Sequence, residues 1–338
     1  MNQAQSVRKP DPGSALPVLS FLLTAYNEEA NLEAMYGRIV STCTENGISP
    51  FEIVFVDNGS WDRTGEILRE MTVRDSRVVA VRLSRNFGYQ GGIAAALHYA
   101  RGTWAVVLDA DQQDPPELVP RMLEKGREGY DVVYGVRAER KETMFRRIAF
   151  WLFYRLWRSS SNVNVPLDAG EYSLMHERVV RVINSMPERQ RFMRGLRAWS
   201  GFRQCGIEYH RDARQAGESK FKFSAAVTLA LDGLIAYSVV PIRVVLVLGG
   251  VLTCLASLVV SANAVVWLLN RCGVSVSLGL LPPGLTQLNM LVLMFSSFTI
   301  LSLGIVGEYV GRIYEEVKQR PLFVVREVLA GPARVERT

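Results

Sequence analysis

The sequence predicts an α/β domain built on a mostly parallel sheet, followed by two long apolar helices towards the C-terminus. Three observations carry this reading. Short β-branched runs alternate with helix-length stretches through the first half of the 338 residues, the pattern of strands covered by helices on both faces. The polar clusters Asn27-Glu28-Glu29, Asp57-Asn58-Gly59-Ser60 and Asp109-Ala110-Asp111 each follow an apolar run, at the strand ends where open α/β sheets bind their ligands. Two stretches, Val244 to Asn270 and Leu285 to Val306, contain no charged residue. Each exceeds the roughly 20 residues an α-helix needs to cross a bilayer.

The expected strands are Val18–Leu23, Glu52–Val56, Val78–Leu83, Trp104–Leu108 and Val132–Tyr134, short runs of the kind that becomes buried strand. Between them, Glu28–Asn46, Arg63–Asp75, Gly91–Ala100 and Glu117–Glu128 have helical length and periodicity. Residues 1–17 are polar and interrupted by proline, with no secretion signal, so the segment that follows is expected to stay in the cytoplasm. Met144–Ser159 is rich in Phe, Trp, Tyr and Leu yet carries four arginines. At helical spacing Arg147, Arg155 and Arg158 share a stripe, which suits a helix lying in a headgroup plane; a helix packed on the sheet with exposed arginines is the alternative. Ala225–Ser238 reads as a juxtamembrane helix leading through Pro241 into the first span.

The organisation expected is therefore a flexible segment at 1–17, a catalytic domain at 18–225, a juxtamembrane helix with spans at about 242–270 and 285–307, and a tail at 319–338. Arg312, Lys318, Arg320 and Arg326 follow the second span, whereas the connection between spans carries only Arg271. That bias places both termini and the sheet domain in the cytoplasm of a multi-pass inner-membrane protein. A formal charge of +6 suits an anionic surface or substrate, and no nucleic-acid-binding motif accompanies it. Cys43, Cys205, Cys254 and Cys272 have no paired spacing, which argues against a disulfide framework or a zinc site. His98, His176 and His210 are equally dispersed, so any metal must take oxygen ligands.

Asp109-Ala110-Asp111-Gln112-Gln113-Asp114 is the central chemical signal. A strand that ends in two carboxylates one residue apart aims both at the same crevice, where their repulsion calls for a cation or for donors. Mg²⁺ and Mn²⁺ take oxygen ligands and commonly share one or two carboxylates with substrate phosphates; Gln113 adds a neutral carbonyl oxygen. Asp57, ahead of the turn at Gly59, can accept hydrogen bonds from a base or ribose. Asp62 and Ser60 are N-cap candidates for the next helix, and for Asp62 the cap is the favoured role.

Thr24-Ala25-Tyr26-Asn27-Glu28-Glu29, Val56-Asp57-Asn58-Gly59-Ser60, Leu83-Ser84-Arg85-Asn86-Phe87-Gly88 and the Asp109–Asp114 stretch together resemble glycosyltransferase family 2. Asp114-Pro115-Pro116-Glu117, Tyr134-Gly135-Val136-Arg137, Leu167-Asp168-Ala169-Gly170, Gly217-Glu218-Ser219-Lys220 and Gly307-Glu308-Tyr309-Val310-Gly311-Arg312-Ile313-Tyr314 narrow the resemblance. It is to the polyprenyl-phosphate glycosyltransferases, with Asp168-Ala169-Gly170 and the two apolar runs most similar to bactoprenol glucosyltransferases; dolichyl-phosphate mannose synthases belong to the same group. The resemblance implies a GT-A type sheet domain that binds a nucleotide sugar, then interfacial helices and two transmembrane helices. It also implies transfer, with inversion, of one sugar to a polyprenyl phosphate such as undecaprenyl phosphate, with UDP-glucose as the best guess for the donor.

By the same resemblance Tyr26, Asn27, Glu28, Asp57, Arg85, Asn86 and Asp109 bind the donor nucleotide. Asp109, Asp111 and Gln113 hold Mg²⁺ or Mn²⁺, Asp168 is the catalytic aspartate, and Arg137 and Lys220 meet the acceptor phosphate. Three positions depart from the family pattern: Asn58 for a common second aspartate, Gln112 for a leucine, and Glu171-Tyr172 for Asp-Phe. Glu308 and Arg312, four residues apart, suit a structural pair. The expected partners are the nucleotide sugar, the lipid phosphate, a membrane, and further copies of the chain in a homo-oligomer, with a tetramer favoured. Two other readings stand beside this one. A processive polysaccharide synthase needs an acceptor-gripping Gln-x-x-Arg-Trp that residues 190–199 do not supply, and a non-catalytic sugar-nucleotide-binding membrane protein has no need of so complete a set of acidic residues. An oxidoreductase is disfavoured because no Gly-x-Gly-x-x-Gly opens the first helix.

Overall fold

The computed structural model describes residues 18–137, 169–189, 191–210, 240–273 and 285–330. The chain divides into two compact units, one of which returns to the sheet domain at Arg320 after the helices of the other. In the first unit eight strands form one mixed sheet: β1 (Leu19–Ala25), β2 (Phe51–Asp57), β3 (Val78–Leu83), β4 (Trp104–Asp109), β5 (Val132–Arg137), β6 (Ala169–His176), β7 (Gln204–Tyr209) and β8 (Val325–Ala330). Their order across the sheet is β7-β5-β6-β4-β1-β2-β3-β8. The β4-β1-β2-β3 centre is parallel, β6 runs antiparallel between β4 and β5, and β8 runs antiparallel along β3.

β1 (LSFLLTA) and β2 (FEIVFVD) are almost wholly buried because helices cover both faces, as the continuous apolar runs require of parallel strands. Each helix buries one stripe. α1 (Leu32–Glu45) does so through Leu32, Met35, Ile39 and Cys43, and α2 (Thr64–Arg74) through Leu68 and Met71. Both belong to the core on one side of the sheet, together with α4 (Val119–Arg127). α3 (Gly88–Tyr99) packs on the other side through Ile93, Ala95, Ala96 and Leu97, with α5 (Glu177–Ser185) and α6 (Met193–Trp199) beside it. The small residues at the start of α3 set its close approach: a Cβ on Gly92 would stand 3.0 Å from Thr24 Cγ2 at the end of β1.

The second unit contains α7 (Val240–Arg271) and α8 (Leu285–Val317). They pack on each other at Gly249, where a Cβ would lie 3.1 Å from Phe298 Cε1. Arg312 Nε donates to Glu308 Oε1 at 3.1 Å, forming the expected pair within α8. The expectation of an inner-membrane, multi-pass protein, with its sheet domain and both termini cytoplasmic, is corrected: among the described residues no helix is long and apolar enough to cross a membrane. α8 runs on past its charge-free stretch through Glu308, Arg312, Glu315 and Glu316, so the charge-free run does not by itself delimit the helix that carries it. Residues 1–17, the helix expected at 144–159 and the segment 225–238 lie outside the described residues.

Candidate active site

The carboxyl ends of β1, β2 and β4 form one edge. In register, Thr24 pairs with Asp109 on one side and Ala25 with Asp57 on the other, so the two aspartates flank β1 at about two strand spacings, roughly 10 Å.

The loop after β1 is laced to the loop after β2. Asn27, at a positive φ of 56°, donates its N–H to Ser60 Oγ at 3.0 Å and accepts from the Trp61 N–H at 3.1 Å through Oδ1. Glu28 N–H reaches Thr64 Oγ1, while Glu28 Oε2 takes the Asn31 amide at 2.6 Å. Asp62 Oδ1 accepts the Thr64 N–H two residues on, just ahead of α2, but the N-cap position itself falls to Arg63, which makes no side-chain cap bond. Asn58, 4% exposed, is a staple: its amide donates to Gly88 O at 2.9 Å and to Asn86 Oδ1, and its Oδ1 accepts the Phe87 N–H. Gly59 is required here, with φ 76° and space so tight that a Cβ would lie 2.6 Å from the Arg85 carbonyl carbon. These bonds bring Tyr26, Asn27, Glu28, Asp57, Arg85 and Asn86 to one rim. Arg85 stacks over Phe87 and donates to Asn86 O, leaving it at the exposed margin.

Asp57 is 1% exposed. Its Oδ1 accepts the Ser60 N–H at 2.8 Å. Its Oδ2 has Arg82 Nε at 3.1 Å without hydrogen-bond geometry, so that oxygen has a charge beside it but no hydrogen-bond donor among the described residues.

At the end of β4, Asp109 Oδ1 accepts the Tyr89 hydroxyl at 2.6 Å, and Asp111 Oδ1 accepts the Gln113 N–H at 3.2 Å. The Tyr89 ring is partly exposed, but its hydroxyl end is desolvated and faces Asp109 and Glu171, which hold its pKa well above the ordinary phenol value. It stays a donor. Gln112 adopts a positive φ of 63° and turns inward, its amide bonding Asn31 Oδ1, which leaves Asp111 and Gln113 at the partly exposed edge. Among the described residues no group of three or more His, Cys, Asp or Glu could hold a metal ion; Asp109 and Asp111 contribute oxygen donors alone.

A second cluster closes the β5–β7 end. Asp114, 2% exposed, accepts the Tyr209 hydroxyl at 2.7 Å. Desolvation disfavours the Arg137 charge, but a hydrogen bond with Tyr209 and the carboxylates of Asp114 and Asp109 outweigh it, and the guanidinium pKa rises. Arg137 Nε is buried with no hydrogen-bond partner among the described residues. Tyr172 donates to Pro115 O at 2.6 Å. Glu171 Oε1 takes Gln90 Nε2 and Arg194 Nε, both at 3.2 Å. Arg197, 2% exposed, donates to Gly170 O and lies over the Tyr134 ring, burial lowering its pKa to about 10. Sequence reasoning passed over Tyr89, Gln90, Tyr209 and Arg197, residues whose contacts span 20 to 103 positions of chain. Asp168 and Lys220 lie outside the described residues.

The family model for glycosyl transferase family 2 matches residues 20–183, from β1 into α5. YkcC, an uncharacterized glycosyltransferase of Bacillus subtilis strain 168, is 38% identical over 309 residues, covering 91% of this chain and 93% of its own. A prophage bactoprenol glucosyl transferase homolog of Escherichia coli K12 is 32% identical over 312 residues, 92% of this chain and 99% of its own. The solved structure of glucosyl-3-phosphoglycerate synthase from Mycobacterium tuberculosis, with Mn²⁺, UDP and glucosyl-3-phosphoglycerate, matches 60% of this chain and 73% of its own with a TM-score of 0.44 at 18% identity. The match to relatives of this identity over nearly their whole length, on a central mixed sheet of GT-A-like type, shows that this chain is a glycosyltransferase and belongs to glycosyltransferase family 2.

Proposed function

We propose that this chain transfers a single sugar from a nucleoside diphosphate, with UDP-glucose the preferred candidate, to the phosphate of a polyprenyl phosphate such as undecaprenyl phosphate. One observation carries the donor half: Asp57 and Asp109 stand on either side of the end of β1, a separation a nucleoside can span from base to diphosphate. The acceptor half draws on relatives named bactoprenol glucosyl transferase, which this chain matches over 98–99% of their length.

In this reading Asp57 Oδ2, buried and without a hydrogen-bond donor among the described residues, accepts an N–H of the base. Asp109 and Asp111, with the Gln113 carbonyl oxygen, would hold Mg²⁺ or Mn²⁺; the donor set fits, being all oxygen and placed at a strand end. The ion supplies Lewis-acid stabilisation of charge on the departing diphosphate. Tyr89 orients Asp109 by its hydroxyl donation.

An oxygen of the acceptor phosphate attacks the anomeric carbon in line. A carbon–oxygen bond forms, the bond to the diphosphate breaks, and the nucleoside diphosphate leaves with the electron pair, so the anomeric configuration inverts. A phosphate monoester has its second pKa near 6, so the attacking oxygen is already ionised at neutral pH and needs little help from a base. Asp168 is then assigned to orienting the acceptor and stabilising positive charge developing on the sugar. Arg137, permanently charged and with Nε unengaged among the described residues, is suited to the acceptor phosphate, with Lys220 as its companion. Bringing donor and acceptor together supplies much of the remaining rate advantage.

The test is incubation of the purified protein with undecaprenyl phosphate, Mg²⁺ or Mn²⁺, and a panel of nucleotide sugars, followed by mass spectrometry of the lipid. One added hexose is expected. No glycosylated lipid from any donor would overturn the reading, and a ladder of added sugars would replace it with a processive one.

A further inference from the structure

Across the carboxyl-terminal rim of the sheet, one row of paired residues alternates in charge. Asp57 on β2 is the register partner of Arg82 on β3, and Arg82 is the register partner of Glu327 on β8. Arg82 Nε lies 3.1 Å from Asp57 Oδ2, and Arg82 Nη1 lies 3.5 Å from Glu327 Oε1. The row ends on α2, where Arg69 Nη2 donates to both Glu327 oxygens, at 3.1 and 3.2 Å. Gly65 gives the Arg82 guanidinium its room, since a Cβ there would meet Cζ at 3.1 Å.

We propose that Glu327 is a positioning residue for the nucleotide donor, acting through Arg82 on Asp57. This rests on the reading that Asp57 contacts the donor base. A carboxylate that is 1% exposed is costly to bury without a cation beside it. A cation free to turn fully onto it would instead consume the oxygen that a ligand needs. Glu327 resolves this conflict by drawing the Arg82 guanidinium the other way. The charge stays close to Asp57, while the Nε–H stays out of hydrogen-bond alignment with Oδ2. Arg69 in turn fixes Glu327, which is about one-third exposed and would otherwise swing into solvent. A strand from the far C-terminal end of the sheet unit thereby shapes a site whose other parts lie within the family-matched residues 20–183.

The experiment compares UDP and GDP binding to the full-length wild type, Glu327→Ala and Glu327→Gln by calorimetry, with donor KM and kcat from the transfer assay. Glu327→Gln keeps the side-chain size and the strand while removing the charge. Both variants are expected to bind the preferred nucleotide about fivefold to tenfold more weakly, with donor KM rising in step and kcat changing by less than about twofold. In an Arg82→Leu background, Glu327→Ala is expected to add no more than about a twofold change, because its route is removed. A wild type that binds neither nucleotide overturns the donor-site reading, and this inference with it. A wild type that binds, with unchanged affinity in both Glu327 variants, overturns this inference alone. So does a fall in kcat with donor KM unchanged, the signature of a general packing defect.

Discussion

Asp111 sits one residue beyond the buried Ala110, and its Oδ1 accepts the Gln113 N–H at 3.2 Å. Its replacement by Ala leaves the sheet intact and removes half of the paired carboxylates. Transfer in the presence of Mg²⁺ or Mn²⁺ is expected to fall about 100-fold or more, measured as product per enzyme under saturating donor; full activity in Asp111→Ala would refute the metal assignment. Gly59 makes a different demand. Its φ of 76° and the 2.6 Å approach to the Arg85 carbonyl carbon leave no room for a side chain. Gly59→Ala is expected to cost on the order of 2 kcal/mol or more, read as a lower urea midpoint, and to weaken nucleotide binding because the Asp57 loop must move. An unchanged midpoint would show that the loop yields freely. At this scale the acidic candidates were legible because carboxylates after apolar strands stand out in a sequence. Tyr89 and Tyr209 were not, since nothing local distinguishes a tyrosine that will meet Asp109 or Asp114 from one that packs in the core.

The α1–α2 side of the sheet is pinned by a pair of elements rather than by one residue. Tyr36 on α1 donates to Asp75 Oδ2 at 2.8 Å, just beyond α2, and Asp75 also receives Arg77 Nε and Nη2. Desolvation would raise the Asp75 pKa, but hydrogen bonds from Arg77 and Tyr36 outweigh it and hold it below its ordinary value. Desolvation and Asp75 together push the Tyr36 phenol up. The signs define a window. A depressed carboxylate stabilises the fold above its unfolded pKa and loses that contribution in acid, and a raised phenol contributes below its unfolded pKa and loses it in base. Tyr36→Phe is therefore expected to cost about 0.5–1.5 kcal/mol between roughly pH 4 and pH 10, with the gap from wild type closing outside that range. Urea titrations at about pH 2, 7 and 11 check it, and a gap that persists undiminished at both extremes would disprove the pairing. Elements of this central kind could be read in advance: β1 to β5 follow apolar runs, and α1 to α4 follow helical spacing. β6 (AGEYSLMH), β7 (QCGIEY) and β8 (VREVLA) could not. They mix polar and apolar residues without a continuous apolar run, β6 and β7 each contain a Gly, and their extended state comes from pairing with β4, β5 and β3 rather than from their own propensity.

The return of the chain to the sheet after α8 ties the two ends of the sequence into one unit. Residues 319–338 were expected to be a tail, yet the segment from 322 to 330 lies along the sheet edge and α3. Ser84 N–H donates to Val324 O at 2.9 Å, Phe323 faces His98 at 5.9 Å between ring centres, and β8 pairs with β3. Phe323 and Val325 pack on the core beneath α3, while Leu329 packs on the opposite core beneath α1 and α2. Ending the chain after Gln319 thus removes three partly buried apolar side chains from both faces, uncovers the edge of β3, and deletes Glu327. At about 25 cal/mol per Å² the lost burial amounts to on the order of 3–5 kcal/mol, and an uncovered edge strand invites pairing between molecules. The truncated chain is expected to unfold at a clearly lower urea concentration by near-ultraviolet circular dichroism and to scatter more light on storage. The nucleotide it still binds should be bound no more tightly than by Glu327→Ala, because both lack the same carboxylate. A truncation that leaves midpoint, scattering and nucleotide affinity unchanged would show that the sheet closes at β3 and that its eighth strand is dispensable.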